Sequence, residues 1–394
     1  MISYDEALAL ALGQAQSCGI ESVDLLNSCN RVLAQDLVSP FPLPRFDNSA
    51  VDGYALGLPS QSETWRVLRT VSAGDHAGSP LAEGECVRIF TGAPIPPGTT
   101  TVAMQEDVEM LADEYSIRAT TQRGMNIRRA GEEAEAGAVV LHARTTLNAA
   151  GIGVAATLGL DSIPVFRAPR VGILVTGAEL VSPGSELSEG KIFESNRAVV
   201  TALLGTSGIS PDYAEVVGDS PQQTESAFQR SLECCDVVIA TGGISVGERD
   251  VVRSTLEQLG VEEVFWKVAI KPGKPVYMGC VGGKTMFGLP GNPLSVIATY
   301  TLLVKPFLRA VMGFAEPGPD RVNAKVSTPV SHKLGRREFI PAVIRDLSGD
   351  MVVSPILGQG SHMLSGMARA NSFIDMPAEV EGVYENERVS VVLL

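Results

Sequence analysis

The sequence is poor in the residues that build metal clusters and disulfides. Its six cysteines, at 18, 29, 86, 234, 235 and 280, form no C-x-x-C pair. Its four histidines, at 76, 142, 332 and 362, are not spaced as a zinc ligand set. Both absences argue against a zinc module, and reduced cytosolic thiols are the expectation. Positive charge is also short: 31 Lys and Arg face 45 Asp and Glu, and the net charge of −14 disfavours a nucleic-acid partner. The most apolar window, "LNAAGIGVAATLGL" at 147–160, is too short to span a bilayer. Asp5 and Glu6 stand where a signal peptide carries positive charge. A cytoplasmic protein without a membrane or nucleic-acid partner is expected. No fixed-period repeat or low-complexity tract occurs.

What is present is enough apolar material, 45% of 394 residues, for two to four domains. Residues 1–38 read as two amphipathic helical segments, "YDEALALALGQAQ" and "DLLNSCNRVLAQDL", ended by the prolines at 40, 42 and 44. From about 46 to 145, short runs such as "WRVLRTV", "ECVRIFTG", "TTVAMQEDVEML" and "YSIRATT" predict a small inserted β domain. "LNAAGIGVAATLG" then reads as a Gly-rich helix. From 169 the texture changes. Apolar strands "RVGILVTG", "YAEVVGD" and "DVVIATGG" alternate with helices "SNRAVVTALLGTSG", "PQQTESAFQRSLECC" and "ERDVVRSTLEQLG". That alternation predicts a parallel, doubly wound sheet. After a linker at "EPGPD" (316–320), residues 321–394 return to short β runs. The fold class expected is multidomain, α/β plus β, with domains at 1–168 (insert about 46–145), 169–315 and 318–394.

Ligands of doubly wound sheets bind outside the carboxyl ends of the strands. Four turns are expected there: "TGAEL" (176–180), "GDS" (218–220), "TGGISVGERD" (241–250) and "GLPGNP" (288–293). In "GLPGNPLSV", Pro290 and Pro293 stiffen the turn, Gly291 allows close approach, and Asn292 opens a helix whose free N–H groups suit an anion. A plain strand–turn–helix connection explains the same letters. Gly242 and Gly243 permit backbone approach, and the Ser245 hydroxyl can donate to a phosphate. Glu248 complements a helix dipole. Asp250 suits Mg²⁺, and Asp219 and Glu179 on neighbouring turns add carboxylates, although each alone also fits a cap or a solvated turn. Lys271 and Lys274 in "IKPGKPV" form either a stiff anion trap or two solvated surface charges. Away from the sheet, "PRFDNSAVDGYA" offers Asp47, Asn48, Ser49, Asp52 and Gly53, and "FTGAPIPPGTT" offers Thr91. Near the end, "GRREF" and "GQGSHML" add Arg336, Arg337 and Ser361; the arginines either fork onto an oxyanion or sit as surface charges.

Together, "FDNSAVDGYA", "IFTGAPIPPG", "NIRRAGEE", "TGGISVGERD", "IKPGKPV", "GLPGNPLSV" and "GSHML" resemble, in order, the MoeA family of molybdenum cofactor biosynthesis. The resemblance implies molybdopterin molybdenumtransferase activity. Adenylyl-molybdopterin loses its adenylyl group, molybdate enters the dithiolene, and AMP leaves, with a divalent metal such as Mg²⁺ assisting. It further implies an elongated homodimer with an α-rich part, an inserted β domain, a MogA-like α/β domain and a C-terminal β-barrel, and a cleft shared between subunits. Position by position, the family's acids fall on Asp52, Glu179, Asp219 and Asp250, with Asp219 and Asp250 as metal ligands, and its threonine falls on Thr91. The molybdate residues fall on Lys271, Lys274, Ser295, Arg336 and Ser361. The turn "GLPGNPLSV" looks like a neutral cradle for the pterin phosphate or molybdate. Implied partners are a MogA-type adenylyltransferase and molybdoenzyme acceptors or chaperones. One departure is visible: Ala178 in "TGAEL" replaces an Asp found in many members. The alternatives are a MogA-like adenylyltransferase, or a non-catalytic scaffold of the kind the gephyrin E domain provides.

Overall fold

The structure, a computed structural model, describes the chain except residues 62, 112–115, 121, 219, 245–250 and 357–362, and the side chain of 251. The chain divides into two compact units, Met1–Ala34 with Arg144–Ala149 and Ser162–Leu394, and Gln35–Ala143 with Ala150–Asp161.

The larger unit is organised by a six-stranded sheet. Its strands are β1 (Val171–Thr176), β2 (Pro211–Val217), β3 (Val237–Thr241), β4 (Glu262–Trp266), β5 (Tyr277–Val281) and β6 (Lys284–Leu289), in the order β2-β1-β3-β6-β5-β4. β1 and β3 are buried at every position, as strands covered on both faces require. On one face lie α1 (Tyr4–Gln14), α2 (Asn196–Gly205) and the long helix α5 (Pro293–Val311). On the other lie α3 (Pro221–Cys234) and α4 (Val251–Gln258), packed through Phe228, Val252 and Leu256. The helix α5 is long and apolar enough to cross a membrane by length and composition, yet 83% of that stretch is buried inside the protein. It is a core helix here.

Two sequence expectations need correction. The sheet is not wholly parallel: β2, β1, β3 and β6 are, but β5 runs antiparallel to both β6 and β4. The cause is the pair Gly282–Gly283, both at positive φ (54° and 77°), which closes a two-residue hairpin between β5 and β6. Nor is "DLLNSCNRVLAQDL" a helix. Ile20–Asp24 is a strand paired antiparallel with Ser162–Phe166, and Asp24 caps a single 3₁₀ turn by accepting from Leu26 N–H at 2.9 Å. Asn30 then adopts φ 63°, outside helical space, and Val32 and Leu33 bridge to Thr146 and Val165. Asx turn chemistry and strand pairing override an apolar period compatible with a helix.

The C-terminal part closes a five-stranded barrel from β7 (Arg321–Val326), β8 (Arg337–Leu347), β9 (Asp350–Pro355), β10 (Ser372–Met376) and β11 (Arg388–Leu393). The pairings run β8-β9-β7-β11-β10 and back to β8. Asp375 on β10 is a charged anchor, its side chain 1% exposed. It takes a two-point fork from Arg337 (2.6 and 2.7 Å) and a contact from Arg321. Arg337 also reaches Asp5 at 2.9 Å and lies 4.9 Å over the Tyr4 ring, tying α1 to the barrel. Of the two readings open for Arg337, an oxyanion fork or a surface charge, neither describes it: its fork is spent on an internal carboxylate.

In the smaller unit, the strand order is Thr101–Met104, Gly53–Leu56, Glu85–Ile89, Trp65–Val71, Ser116–Ala119 and Val108–Met110. Gly53 is required there: a Cβ would fall 1.9 Å from the Ala103 carbonyl oxygen.

Asp375→Ala strands two guanidinium groups in a partly dry site, so chemical denaturation should show a loss of about 3–5 kcal/mol. Asp5→Ala removes a partner that is 77% exposed and should cost less than about 1 kcal/mol. Equal losses would show that Asp375 is not the anchor.

Candidate active site

The register Val175↔Thr241 and Thr241↔Leu289 brings the carboxyl ends of β1, β3 and β6 level. A cleft of about 650 Å³ opens at that edge. Three of the turns expected there line it: Glu179 from the first, Gly242 and Gly243 from the second, and Pro290, Gly291, Asn292 and Pro293 from the third. The Gly242 N–H donates to Leu289 O at 3.1 Å, welding the second turn to the third. Both glycines have positive φ (84° and 63°). A Cβ on Gly242 would meet Thr176 O at 2.4 Å, and one on Gly243 would meet Val252 Cγ2 at 2.7 Å. Gly291 differs, since its Cβ would find nothing nearer than Gly242 Cα at 3.9 Å. The tight approach therefore sits at 242–243. At the third turn, Asn292 is the residue before α5 and Pro293 its first. Proline has no N–H, so Leu294 and Ser295 carry the first N–H groups without a helical acceptor. The Ser295 side chain is buried, 4% exposed, and does not line the cleft.

A strap spanning residues 178–195 forms another wall. Leu180–Val181 pairs in parallel with Ile192–Phe193. The Glu179 carbonyl accepts from Ile192 N–H at 2.9 Å, and the Val181 carbonyl accepts from Glu194 N–H at 2.8 Å. Ala178 is exposed, and its carbonyl accepts from Lys191 Nζ at 2.5 Å. Two lining residues belong to no motif in the sequence, where "SNRAVV" fits the plain start of a helix. Glu194 is 2% exposed and accepts from Arg197 N–H at 2.6 Å, capping α2. Asn196 is 8% exposed and donates from Nδ2 to the Gly291 carbonyl at 2.8 Å. The available signal was the pair of polar side chains flanking Ser195, in a turn entering a helix beside the sheet's ligand edge.

The lysine segment adjoins this cleft through Pro275, which lines it. Gly273 packs against α5, where a Cβ would fall 2.4 Å from Thr299 Cγ2. Lys271 is not free: Nζ lies 2.7 Å from Glu338 Oε1, and the buried His332 stands 3.8 Å from the same carboxylate. Lys274 is exposed and forms no ion pair among the described residues. Arg336 is half-buried, and its carbonyl accepts from His332 Nε2 at 2.8 Å. Asp219, Ser245, Asp250 and Ser361, named from the sequence, lie outside the described residues.

Among the described residues, no group of three or more His, Cys, Asp or Glu gathers as a ready metal cluster. The cleft's described donors are instead hard oxygens, from Glu179, Glu194 and Asn196. That chemistry suits Mg²⁺, which takes one or two carboxylates and leaves other positions to water and phosphate.

In the smaller unit three sequence strings meet. Ser49 N–H donates to Ala93 O and Gly92 N–H to Ser49 O, zipping "FDNSA" to "FTGAP". Asn48–Ser49 also pairs with Ile127–Arg128. Asp47 accepts from Ala130 N–H at 2.8 Å and pairs with Arg129, so it braces the loop. Asp52 is exposed and accepts from both the N–H and the hydroxyl of Thr91, each at 2.8 Å. The Thr91 backbone bond, then the hydroxyl bond, hold the Asp52 carboxyl below its ordinary value of 3.8. It is ionised at neutral pH, and the pair's contribution is lost only as pH falls through that lowered value.

Comparison with known proteins agrees with this layout. The MoeA N-terminal region (domain I and II) matches residues 2–159, the "Probable molybdopterin binding domain" matches 172–310, and the MoeA C-terminal region (domain IV) matches 323–394. The molybdopterin molybdenumtransferase of Haemophilus influenzae is 34% identical, over 99% of this chain and 98% of its own length. Molybdopterin molybdenumtransferase 2 of Mycobacterium tuberculosis is 32% identical over 99% of both. A crystal structure of the molybdopterin biosynthesis MoeA protein from Pyrococcus horikoshii superposes with a TM-score of 0.84 at 30% identity, covering 100% of both chains. With full-length identity above 30% and three consecutive MoeA regions in order, the chain belongs to the MoeA family of molybdopterin molybdenumtransferases.

Proposed function

We propose that this chain performs the metal-insertion step itself, taking adenylyl-molybdopterin and molybdate and releasing AMP as molybdenum enters the dithiolene. The observation that carries this reading is the cleft at the ends of β1, β3 and β6, where a bare Gly242–Gly243 backbone faces the Pro290–Pro293 turn. A phosphate can approach that backbone closely, and the Leu294 and Ser295 N–H groups open the helix beside it. Glu179, with Asp219 and Asp250 carried over from the family resemblance, would hold Mg²⁺. Bound there, the ion would offset negative charge on the phosphate from which AMP departs. Lys274, without an ion pair among the described residues, is the cation for the incoming oxyanion, and Lys271 joins it by exchanging Glu338 for molybdate. Asp52, kept ionised by Thr91, serves the reaction as a fixed negative charge.

The direct test mixes purified protein with adenylyl-molybdopterin, molybdate and Mg²⁺. AMP should appear without any ATP being present. Consumption of ATP with molybdopterin, and no AMP from the adenylylated substrate, would instead assign the preceding adenylylation step. Neither reaction would leave a binding paralogue.

Replacing Lys271 and Lys274 together by Ala removes two charge-assisted contacts, each worth roughly 1.5–3 kcal/mol when formed. Lys271 must first leave Glu338, which reduces its net share. The molybdate concentration for half-maximal AMP release should rise about tenfold, at about 1.4 kcal/mol per decade. An unchanged requirement would place the oxyanion elsewhere.

We also propose that the working form is a cytoplasmic homodimer. All six cysteines are free thiols, in keeping with a reducing compartment. Light scattering at micromolar concentration should return twice the 41.5 kDa chain mass; an active species of single-chain mass would refute the dimer.

A further inference from the structure

His332 is a buried histidine with an acceptor at each end of its ring. Its side chain is 1% exposed. The pairing of Val330–Ser331 with Gly382–Val383, and the bond from His332 N–H to Glu381 O at 2.7 Å, fix where the ring enters. Nδ1 then lies 2.6 Å from the Val380 carbonyl oxygen, and Nε2 lies 2.8 Å from that of Arg336. Carbonyls only accept, so both bonds form only when each ring nitrogen bears a hydrogen. A neutral imidazole has one N–H, and it would set a bare lone pair against one of the two oxygens in a dry place. Changing the tautomer only moves that fault to the other end of the ring. The charge that a doubly protonated ring calls for is at hand. Glu338, 17% exposed, has Oε2 at 3.8 Å from Nε2. The other oxygen of that carboxylate, Oε1, holds Lys271 Nζ at 2.7 Å. Of the remaining charged residues on these segments, Lys333, Glu379 and Glu381 are exposed, and Arg336 meets the ring with its carbonyl.

We infer that His332 is a positioning residue that bears hydrogen on both ring nitrogens and, as a cation, shares the Glu338 carboxylate with Lys271. The consequence falls on the lysine. Were Lys271 its sole counter-charge, Glu338 would resist giving it up, because a carboxylate left alone in a partly dry site is costly. With an imidazolium beside it, the carboxylate stays compensated, and Lys271 turns to an incoming oxyanion at a smaller cost. The three groups hold together through the backbone. Ile270–Lys271 pairs in parallel with Arg337–Glu338, and the ring bonds to the carbonyl of the residue just before that strand. The role given to Lys271 rests on its reading as an oxyanion ligand; the hydrogen on both nitrogens rests on the geometry around the ring.

The test uses the full-length protein. Nitrogen NMR with isotope-labelled histidine at neutral pH, the His332 signals assigned from His332→Gln, should show hydrogen on both ring nitrogens. A bare nitrogen at 332 would overturn the inference. Calorimetric titration with sodium molybdate then reads the coupling. His332→Gln keeps a donor but loses the charge, and should weaken molybdate about fivefold. Adding Glu338→Gln should bring the affinity back to within about twofold of wild type, since the uncompensated carboxylate is gone. A loss that persists in the double variant would reduce His332 to a brace for residues 332–336 and overturn the inference, as would an unchanged affinity in His332→Gln. Because binding is read directly, a wild type that takes up molybdate yet releases no AMP overturns the functional reading alone. A wild type that does not bind molybdate leaves Lys271 no oxyanion to meet, and the positioning role falls with it. If His332→Gln fails to fold, the ring is assigned by replacing the other three histidines in turn. Glu338→Gln alone should then tighten molybdate about fivefold, and no change would overturn the shared carboxylate.

Discussion

The candidate site depends on the parallel pairing of β1, β3 and β6. Parallel strands in register end at the same level, and their connections leave from the same edge. Here Thr241 stands opposite both Val175 and Leu289, so the residues that follow each strand are forced together. The Gly242 N–H then bonds to Leu289 O, and Asn196 bonds to the Gly291 carbonyl. A one-residue slip would swap every side chain of β3 to the opposite face. Since β1 and β3 are buried on both faces, each swapped side chain would meet packing shaped for its neighbour, and that core is what secures the cleft.

Net charge is a poor guide to how this protein handles anions. The chain carries −14, and several of its few cations are committed internally. Arg337 serves Asp375 and Asp5, Arg321 serves Asp375, and Lys271 serves Glu338. Among the described residues, the cleft offers an anion chiefly backbone: bare glycines, a proline-stiffened turn and the opening of α5. Backbone dipoles hold an anion without adding charge, so the protein can stay acidic and still bind phosphate. Glu338 holds Lys271 at 2.7 Å, and His332 stands 3.8 Å from the same carboxylate.

Much of this was legible in the sequence, and the failures have identifiable causes. Continuous apolar runs such as "VGILVT" and "VVIAT" announced buried parallel strands, and the strand-end turns followed from them. Thr91 and Asp52, 39 positions apart, were named separately; their direct contact became visible only once "FDNSA" paired with "FTGAP". The Gly282–Gly283 hairpin was missed because its two apolar flanks also fit consecutive strands of a parallel sheet. Residues 24–33 were misread because an apolar helical period looks the same whether Asp24 and Asn30 cap turns or ride on a helix. Asn196 and Glu194 were missed for a deeper reason. Their importance lies in burial against a turn almost a hundred residues away, and no local period encodes that contact.

The two groups of polar residues are held by different physics, and that difference bears on how the reaction is prepared. Asp52 sits in the open, and two bonds from one residue, Thr91, each 2.8 Å, hold its carboxylate in place and lower its pKa. Such a carboxylate is ionised over the whole neutral range and needs no reorganisation to act as a fixed charge. Around the cleft the arrangement is the reverse. Glu194 and Asn196 are nearly closed to solvent, and each spends one polar group on the fold, at Arg197 N–H and at Gly291 O. Their geometry is set by packing, so they can orient a ligand with little loss of side-chain entropy. The exposed acid is thus held by hydrogen bonds from a single neighbour, and the buried amide by packing within its own unit.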